Sequence, residues 1–151
     1  MFQKMVQPKY PPRQWAIYGA AGSGKSHFAS QMKTPALVID SDARFTEQLP
    51  NATGAIYQLS DEHQHNTDPD KIASVLKDNL PGSGVRTIVV DSLTAILRPV
   101  INQALGDIEA GRVKNGVTAF KGKALAMNRL QDAIAGSGVD CLWIWHTHES
   151  R

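Results

Sequence analysis

The sequence predicts an α/β fold in which a mostly parallel sheet of about five strands is flanked by helices. Three observations support this prediction. Short apolar segments rich in β-branched residues recur along the chain, as expected of strands buried on both faces. Helical patterns alternate with these segments, as parallel strands require. The 151 residues, 42% of them hydrophobic, are enough for the core of one domain.

Five segments are predicted as strands because each is short, apolar and rich in β-branched or aromatic residues. They are 14–19, 36–40, 55–59, 86–91 and 141–145. Residues 1–13 are expected to form an irregular lead-in, because Pro8, Pro11 and Pro12 block regular structure. Residues 14–151 are predicted to form a single domain.

Helices are predicted between the strands from capping residues, helix breakers and apolar faces. The first begins near Gly24 and ends by Lys33, because Pro35 disfavours helix at Thr34. The second follows Asp68-Pro69, an N-cap with proline at the first helical position. A third helix begins near residue 93, a polar loop is predicted at 106–116, and a fourth helix spans 119–135.

The overall charge is weak, but its distribution is uneven. The formal net charge of +2 gives no general reason to expect a nucleic-acid or membrane partner. Residues 61–78 carry five acidic and two basic side chains, whereas residues 112–129 carry five basic side chains and no acidic one. Solvated surface explains both segments, and contact with a nucleic acid stays open for the basic one.

Cysteine usage and apolar content bear on the compartment. Cys141 is the single cysteine, so a disulfide within the chain is impossible and a reduced, cytoplasmic setting is expected. Its apolar surroundings in the sequence indicate a small core residue. The first 14 residues lack the apolar block of a signal peptide, and no segment approaches membrane-spanning length.

Residues 19–26, GAAGSGKS, fit the phosphate-loop pattern G-x-x-x-x-G-K-[ST] in full. Glycines let successive backbone N–H groups point at one anion, and the following helix adds its partial positive charge. Lys25 can reach the β- and γ-phosphates of a nucleotide, and the Ser26 hydroxyl can ligate Mg²⁺. The residues expected to bind the nucleotide are Gly19, Ala20, Ala21, Gly22, Ser23, Gly24, Lys25, Ser26 and His27.

An acidic partner for the metal is expected at the end of the strand TIVVD. Asp91 ends this strand, and ligands bind at the carboxyl ends of strands in open α/β sheets. Asp91 would hold Mg²⁺ through water, together with Ser26. The alternative is that Asp91 caps the next helix, and both roles can hold at once.

Two further carboxylates end the strand ALVID. A hydrolytic enzyme needs a base that orients the attacking water, and Asp42 is the candidate. Asp40 lies nearer the strand and could support the phosphate loop or the metal. Ordinary turn chemistry after a strand is the alternative for this segment.

The ordered motifs GAAGSGKS, VIDSDARF, IVVDSLTAI and LWIWHTHESR resemble the core of RecA-type recombinases over residues 14–151. The nearest resemblance is to the small single-domain ATPases of phages and prophages that assist recombination and single-strand annealing. This resemblance implies a three-layer P-loop fold, hydrolysis of ATP with Mg²⁺, a single-stranded DNA partner and a homo-oligomer. The recombinase core continues past the last strand, whereas this sequence stops at Arg151. A truncated or minimal core with weak hydrolysis is therefore expected.

The resemblance also implies roles for single residues. Lys25 and Asp91 match catalytic positions, and Asp42 stands where the family has a water-activating glutamate, one methylene longer. His146 or His148 stands at the position that senses the γ-phosphate. The other histidine pair, His63 and His65, lies in a polar stretch and is expected to be a solvated loop rather than a metal site.

Residues 106–123 lie where the family has its first DNA-contacting loop. The DNA-binding residues that this implies are Arg112, Lys114, Lys121 and Lys123. Phe120 would either stack on a base or belong to the apolar stripe of its helix.

Two other functions remain open at the level of the sequence. A small-molecule or nucleotide kinase would share the phosphate loop, but such kinases use an arginine-bearing lid, and 106–116 offers only Arg112. A nucleotide-dependent switch or scaffold with little turnover would need no complete catalytic set.

Overall fold

A computed structural model of the chain describes residues 1–6, 12–20, 23–60, 62–111 and 116–146. Five strands in these ranges form one sheet: β1 (Gln14–Gly19), β2 (Ala36–Asp40), β3 (Ile56–Gln58), β4 (Thr87–Asp91) and β5 (Asp140–His146). Their spatial order is β1-β5-β4-β2-β3, and every neighbouring pair is parallel. The predicted α/β fold with its five-stranded parallel sheet is confirmed.

In the same described ranges, four helices accompany the sheet: α1 (Lys25–Ser30), α2 (Pro69–Asn79), α3 (Leu93–Glu109) and α4 (Gly116–Ala135). Two short 3-10 turns lie at Phe45–Asn51 and His63–Asn66. The expected N-cap of α2 is present, since the Asp68 carboxylate accepts hydrogen bonds from the backbone N–H groups of Asp70 and Lys71. Among the described residues, no helix has the length and apolar character needed to cross a membrane.

The predicted polar loop at 106–116 is wrong over its first part, because α3 continues through Glu109. The Ala110 N–H donates to the Gly106 carbonyl at 2.9 Å, which is the next bond of the helical ladder. Gly111 follows with φ 71°, the left-handed conformation that commonly ends a helix. A single glycine costs only about 1 kcal/mol inside a helix, so Gly106 does not stop it.

The sheet is covered on both faces, and alternate residues of each strand point to opposite sides. The face with α2, α3 and α4 has a core of Leu37, Ile39, Ile72, Leu76, Ile88, Val90, Leu93, Ile96, Leu130, Ile134, Cys141 and Trp143. The face with α1 has a smaller core of Ala29, Val38, Phe45, Val89, Leu142 and Ile144. The result is three layers, with Cys141 a buried free thiol as expected; burial raises its pKa to about 11.

All five strands run in the same direction, so their carboxyl ends meet at one edge of the sheet. In the sheet register, Gly19 of β1 lies beside His146 of β5, and Asp40 of β2 lies beside Asp91 of β4. The Ser41 N–H donates to the Asp91 carbonyl at 2.8 Å, which ties the end of β2 to the end of β4. Residues far apart in the sequence are thereby brought to one place.

Candidate functional site

The glycine-rich segment joins β1 to α1 at this edge. Gly24 has φ 92° immediately before the first residue of α1, and L side chains rarely adopt this conformation. Gly19 ends β1 where a Cβ atom would lie 2.5 Å from the Ser23 hydroxyl, so only glycine fits without a shift. Ala21 and Gly22 lie outside the described residues. In the described part of the loop, glycine is therefore needed at Gly24 for its backbone conformation, and at Gly19 it leaves room for the Ser23 hydroxyl.

The Lys25 side chain is folded against its own loop. Its ammonium donates to the carbonyl oxygens of Gly19 and Ala20 at 2.6 and 2.7 Å and to the Ser23 hydroxyl at 3.1 Å. The residue is 7% exposed. Burial lowers the pKa of the ammonium, and the negative charge of Asp91 opposes that shift. Three oxygen acceptors satisfy the three N–H donors of the charged form.

Ser26 and Asp91, the two residues expected to hold Mg²⁺, are in direct contact. The Ser26 hydroxyl donates to Asp91 Oδ2 at 2.8 Å, joining α1 to the end of β4. Both groups offer hard oxygen ligands of the kind that Mg²⁺ takes, so this pair fits the expected ion. Capping of α3 falls to Ser92 instead, whose hydroxyl accepts from the Ala95 N–H at 3.3 Å.

Asp91 is 4% exposed, and its electrostatic surroundings are mixed. Burial is the largest influence and raises the carboxyl pKa above its ordinary value of 3.8. The hydrogen bond from Ser26 lowers that pKa, the charges of Asp42 and Asp40 raise it, and His146 lowers it. The net effect is a raised pKa, so the folded protein disfavours the charged form of this carboxyl group.

Replacing Asp91 by asparagine should therefore stabilise the nucleotide-free protein at neutral pH. Because the folded state raises the pKa of Asp91, folding favours its protonated form, and this group's contribution to stability falls as pH rises above 3.8. Asparagine does not titrate and can still accept the hydrogen bond from Ser26. We expect the free energy of unfolding to rise by about 1 kcal/mol at pH 7. Denaturant unfolding at pH 7 and pH 4 measures this, and a gain equal at both values would contradict it.

Asp42 and His146 come together on the far side of Asp91. The His146 Nε2 atom lies 3.2 Å from Asp42 Oδ2 and 3.8 Å from Asp91 Oδ1. The His146 backbone N–H donates to the Thr94 hydroxyl at 2.9 Å, which fixes the end of β5 against α3. Its Nδ1 atom is buried and has no hydrogen-bond partner in the described parts of the chain. The imidazole thus faces two carboxylates through one nitrogen.

Asp40, which lies beside Asp91 in the sheet register, closes the turn that follows β2. Its two carboxylate oxygens accept hydrogen bonds from the backbone N–H groups of Arg44 and Phe45, at 3.1 and 2.9 Å. The turn closed by these bonds contains Asp42. Asp40 therefore holds Asp42 in place, through the turn chemistry that the sequence offered as the alternative.

These groups line one cleft of about 550 Å³. Its lining residues are Gly24, Lys25, Ser26, His27, Asp42, Arg44, Glu47, Gln48, Asp91 and His146. Seven of the ten are residues that the sequence selects, and Arg44, Glu47 and Gln48 are the three it missed. All three belong to the segment that follows β2, and their closeness in sequence to Asp42 was the available signal.

The remaining predicted residues either do not line the cleft or fall outside the described residues. Lys121 is exposed on α4. Lys123 and Phe120 belong to α4, but their side chains lie outside the described part of the structure, as do Arg112, Lys114 and His148 altogether. The DNA-binding assignment therefore stays a prediction. His65 contacts the Ser60 hydroxyl at 3.0 Å and the Glu62 carboxylate at 3.4 Å, and does not line the cleft.

The fold and the phosphate loop define a class, the P-loop nucleotide-binding proteins. Residues 12–151 match the family model described as an AAA domain, and the chain belongs to that family. At this general level the protein is a nucleotide-binding ATPase. A search of curated proteins found no match to the chain.

Proposed function

We propose that the chain is a Mg²⁺-dependent ATPase of the RecA type that acts on single-stranded DNA during recombination or annealing, in a phage or prophage. One observation carries the ATPase part of this proposal. Asp42 and His146, held 3.2 Å apart, stand beside the hydrogen-bonded pair of Ser26 and Asp91 at the carboxyl edge of the sheet. A candidate base, a candidate sensor and the candidate metal ligands thus share one cleft with Lys25.

Nucleotide binding falls to the loop and its lysine. The Lys25 ammonium would leave the carbonyls of Gly19 and Ala20 and donate to the β- and γ-phosphates. Ser26 and Asp91 would hold Mg²⁺, which when bound neutralises charge on the phosphates. His27 and Arg44, which also line the cleft, add polar and cationic groups to its walls.

Water activation falls to Asp42. Its carboxylate is one-third exposed, so water can reach it, and the turn that carries it is fixed by Asp40. Asp42 would accept the proton of a water molecule directed at the γ-phosphate. His146 contacts both Asp42 and Asp91, so it can connect the state of the phosphate with the position of the base.

The DNA part rests on the sequence: the basic segment 112–129 and the resemblance to recombinases. A second candidate, phosphoryl transfer to a small molecule, is favoured by one structural observation. Arg44 lines the cleft and supplies an arginine that a kinase could use against the phosphates. Arg44 is therefore a candidate for that role beside Arg112.

ATP hydrolysis measured with and without single-stranded DNA, beside a panel of nucleoside acceptors, separates the two candidates. DNA-stimulated phosphate release that Lys25→Ala abolishes supports the proposed function. Phosphate appearing on an acceptor, lost on substitution of Arg44, supports the kinase. If the chain binds nucleotide but shows neither activity, both the ATPase and the kinase candidates are contradicted. A nucleotide-dependent switch would then be the function that fits.

Neutralising Lys114, Lys121 and Lys123 together should weaken single-stranded DNA binding and its salt dependence. If all three contact phosphates, the slope of log affinity against log salt should fall by about 2. The matched control neutralises Lys33, Lys71 and Lys77, three exposed lysines at other places on the surface. Fluorescence anisotropy over a salt series measures both variants. Equal weakening in the two would mean that only net charge matters.

A further inference from the structure

Two carboxylates and one imidazole converge at the wall of the cleft. One oxygen of Asp42, one of Asp91 and a ring nitrogen of His146 all lie within 4.8 Å of one another. In a tetrahedral zinc site, bonds of about 2.1 Å place neighbouring ligand atoms about 3.4 Å apart. The distances from His146 Nε2 to the two carboxylates, 3.2 and 3.8 Å, lie on either side of that spacing. The two carboxylate oxygens lie within 4.8 Å of each other, so the three ligand atoms are near the spacing of a bound ion without yet having it.

The backbone around these ligands is fixed from three sides. Asp91 and His146 end neighbouring strands of the sheet, and Asp42 sits on the turn closed by Asp40. The His146 backbone is further held by the Thr94 hydroxyl. A site preorganised in this way loses little conformational freedom when an ion binds.

The nearby lysine does not neutralise the two carboxylates by direct contact. All three hydrogen bonds of the Lys25 ammonium go to oxygens of its own loop. Within the described residues, the imidazole of His146 lies in ion-pair range of both Asp42 and Asp91. Two acids therefore share one imidazole, an arrangement that attracts a cation.

The ligand types select the cation. Mg²⁺ prefers oxygen ligands and keeps much of its water, whereas an imidazole nitrogen suits zinc, cobalt, iron and nickel. Three protein ligands with one side open to solvent are typical of sites where a metal keeps a water molecule. Here Asp42 and His146 are each about one-third exposed, at 33%, and both line the cleft.

We propose that the nucleotide-free protein binds one first-row transition metal ion of the zinc class through Asp42, Asp91 and His146. This site is distinct from the Mg²⁺ position assigned to Ser26 and Asp91, but it shares Asp91 with it. A second consequence rests on the proposed function: because the ion also occupies Asp42, the candidate base, it should inhibit ATP hydrolysis.

Titration of the untagged, metal-free chain with Co²⁺ tests the site without any nucleotide. We expect saturable binding of one ion, seen as visible absorption bands, with Zn²⁺ displacing the Co²⁺ and millimolar Mg²⁺ leaving it bound. His146→Ala and Asp42→Asn should each lower the affinity at least tenfold. Circular dichroism checks that both variants fold, and His146→Gln provides a second substitution that keeps the size of the side chain.

His65 is the matched control, because it also lies near a carboxylate, Glu62 at 3.4 Å, but does not line the cleft. His65→Ala should bind Co²⁺ as the unaltered chain does. The proposal is overturned if no saturable binding occurs, if the His146 variants bind equally well, or if His65→Ala abolishes binding. Since the titration contains no ATP, a chain that fails to hydrolyse ATP can still pass it.

Discussion

Lys25→Ala should weaken ATP–Mg²⁺ binding by about a hundred-fold. The ammonium is the buried cation of the cleft's phosphate loop, and it would exchange three loop oxygens for phosphate oxygens. Losing charged hydrogen bonds worth about 3 kcal/mol in total gives this factor. Isothermal titration calorimetry with ATP and Mg²⁺ measures the affinity directly.

The matched control for this prediction is Lys33→Ala. Lys33 is exposed and its ammonium lies 3.9 Å from the Asp140 carboxylate, away from the cleft. This variant should bind ATP normally. If a folded Lys25→Ala protein binds ATP with unchanged affinity, the loop does not bind the nucleotide. This conclusion does not depend on whether hydrolysis follows.

Asp42→Asn should leave ATP binding nearly intact and reduce hydrolysis by about a hundred-fold or more. Removal of a positioned general base typically costs a factor of 10² to 10⁴. Asparagine keeps the size of the side chain and can still accept a hydrogen bond from His146, so the cleft should keep its shape. Single-turnover phosphate release, compared with binding on the same sample, separates the two effects.

Two further variants sharpen the test of Asp42. Asp42→Glu adds the methylene group that the recombinase resemblance implies, and it should retain hydrolysis or increase it. Asp78→Asn neutralises an exposed acid of α2 and should change neither step. If Asp42→Asn hydrolyses ATP as fast as the unaltered chain, Asp42 is not the general base and another residue has that role.

The elements of this fold were predictable where local chemistry decides them. β2 and β4 are apolar segments that end in aspartate, and α2 begins at an Asp-Pro cap, so both kinds of signal lie within a few residues. The end of α3 was not predictable in this way. Three glycines and several polar residues suggested a loop over 106–116, but an exposed helix end tolerates Gly106 and the polar residues, and Gly111 ends the helix through its conformation.

The contacts within the site depend on strand order, which local patterns do not contain. His146 reaches Asp42 across 104 positions of sequence because β5 lies next to β4, which lies next to β2. The sequence indicated that both residues follow strands, but not that they would meet. Arg44, Glu47 and Gln48 were missed for a different reason: they are close to Asp42 in sequence, but no motif marks them, and they line the cleft because the chain turns after Asp42.

The bonds that Lys25 makes to its own loop have a consequence for which anions can enter. Without nucleotide, the ammonium of Lys25 is bound by its own loop, and all three of its N–H donors have acceptors. An incoming anion competes with these three acceptors for the ammonium. A triphosphate chain offers oxygens from two adjacent phosphates, whereas an isolated phosphate or sulfate ion offers those of one centre. The carbonyl oxygens of the loop therefore favour a polyphosphate over a single small anion.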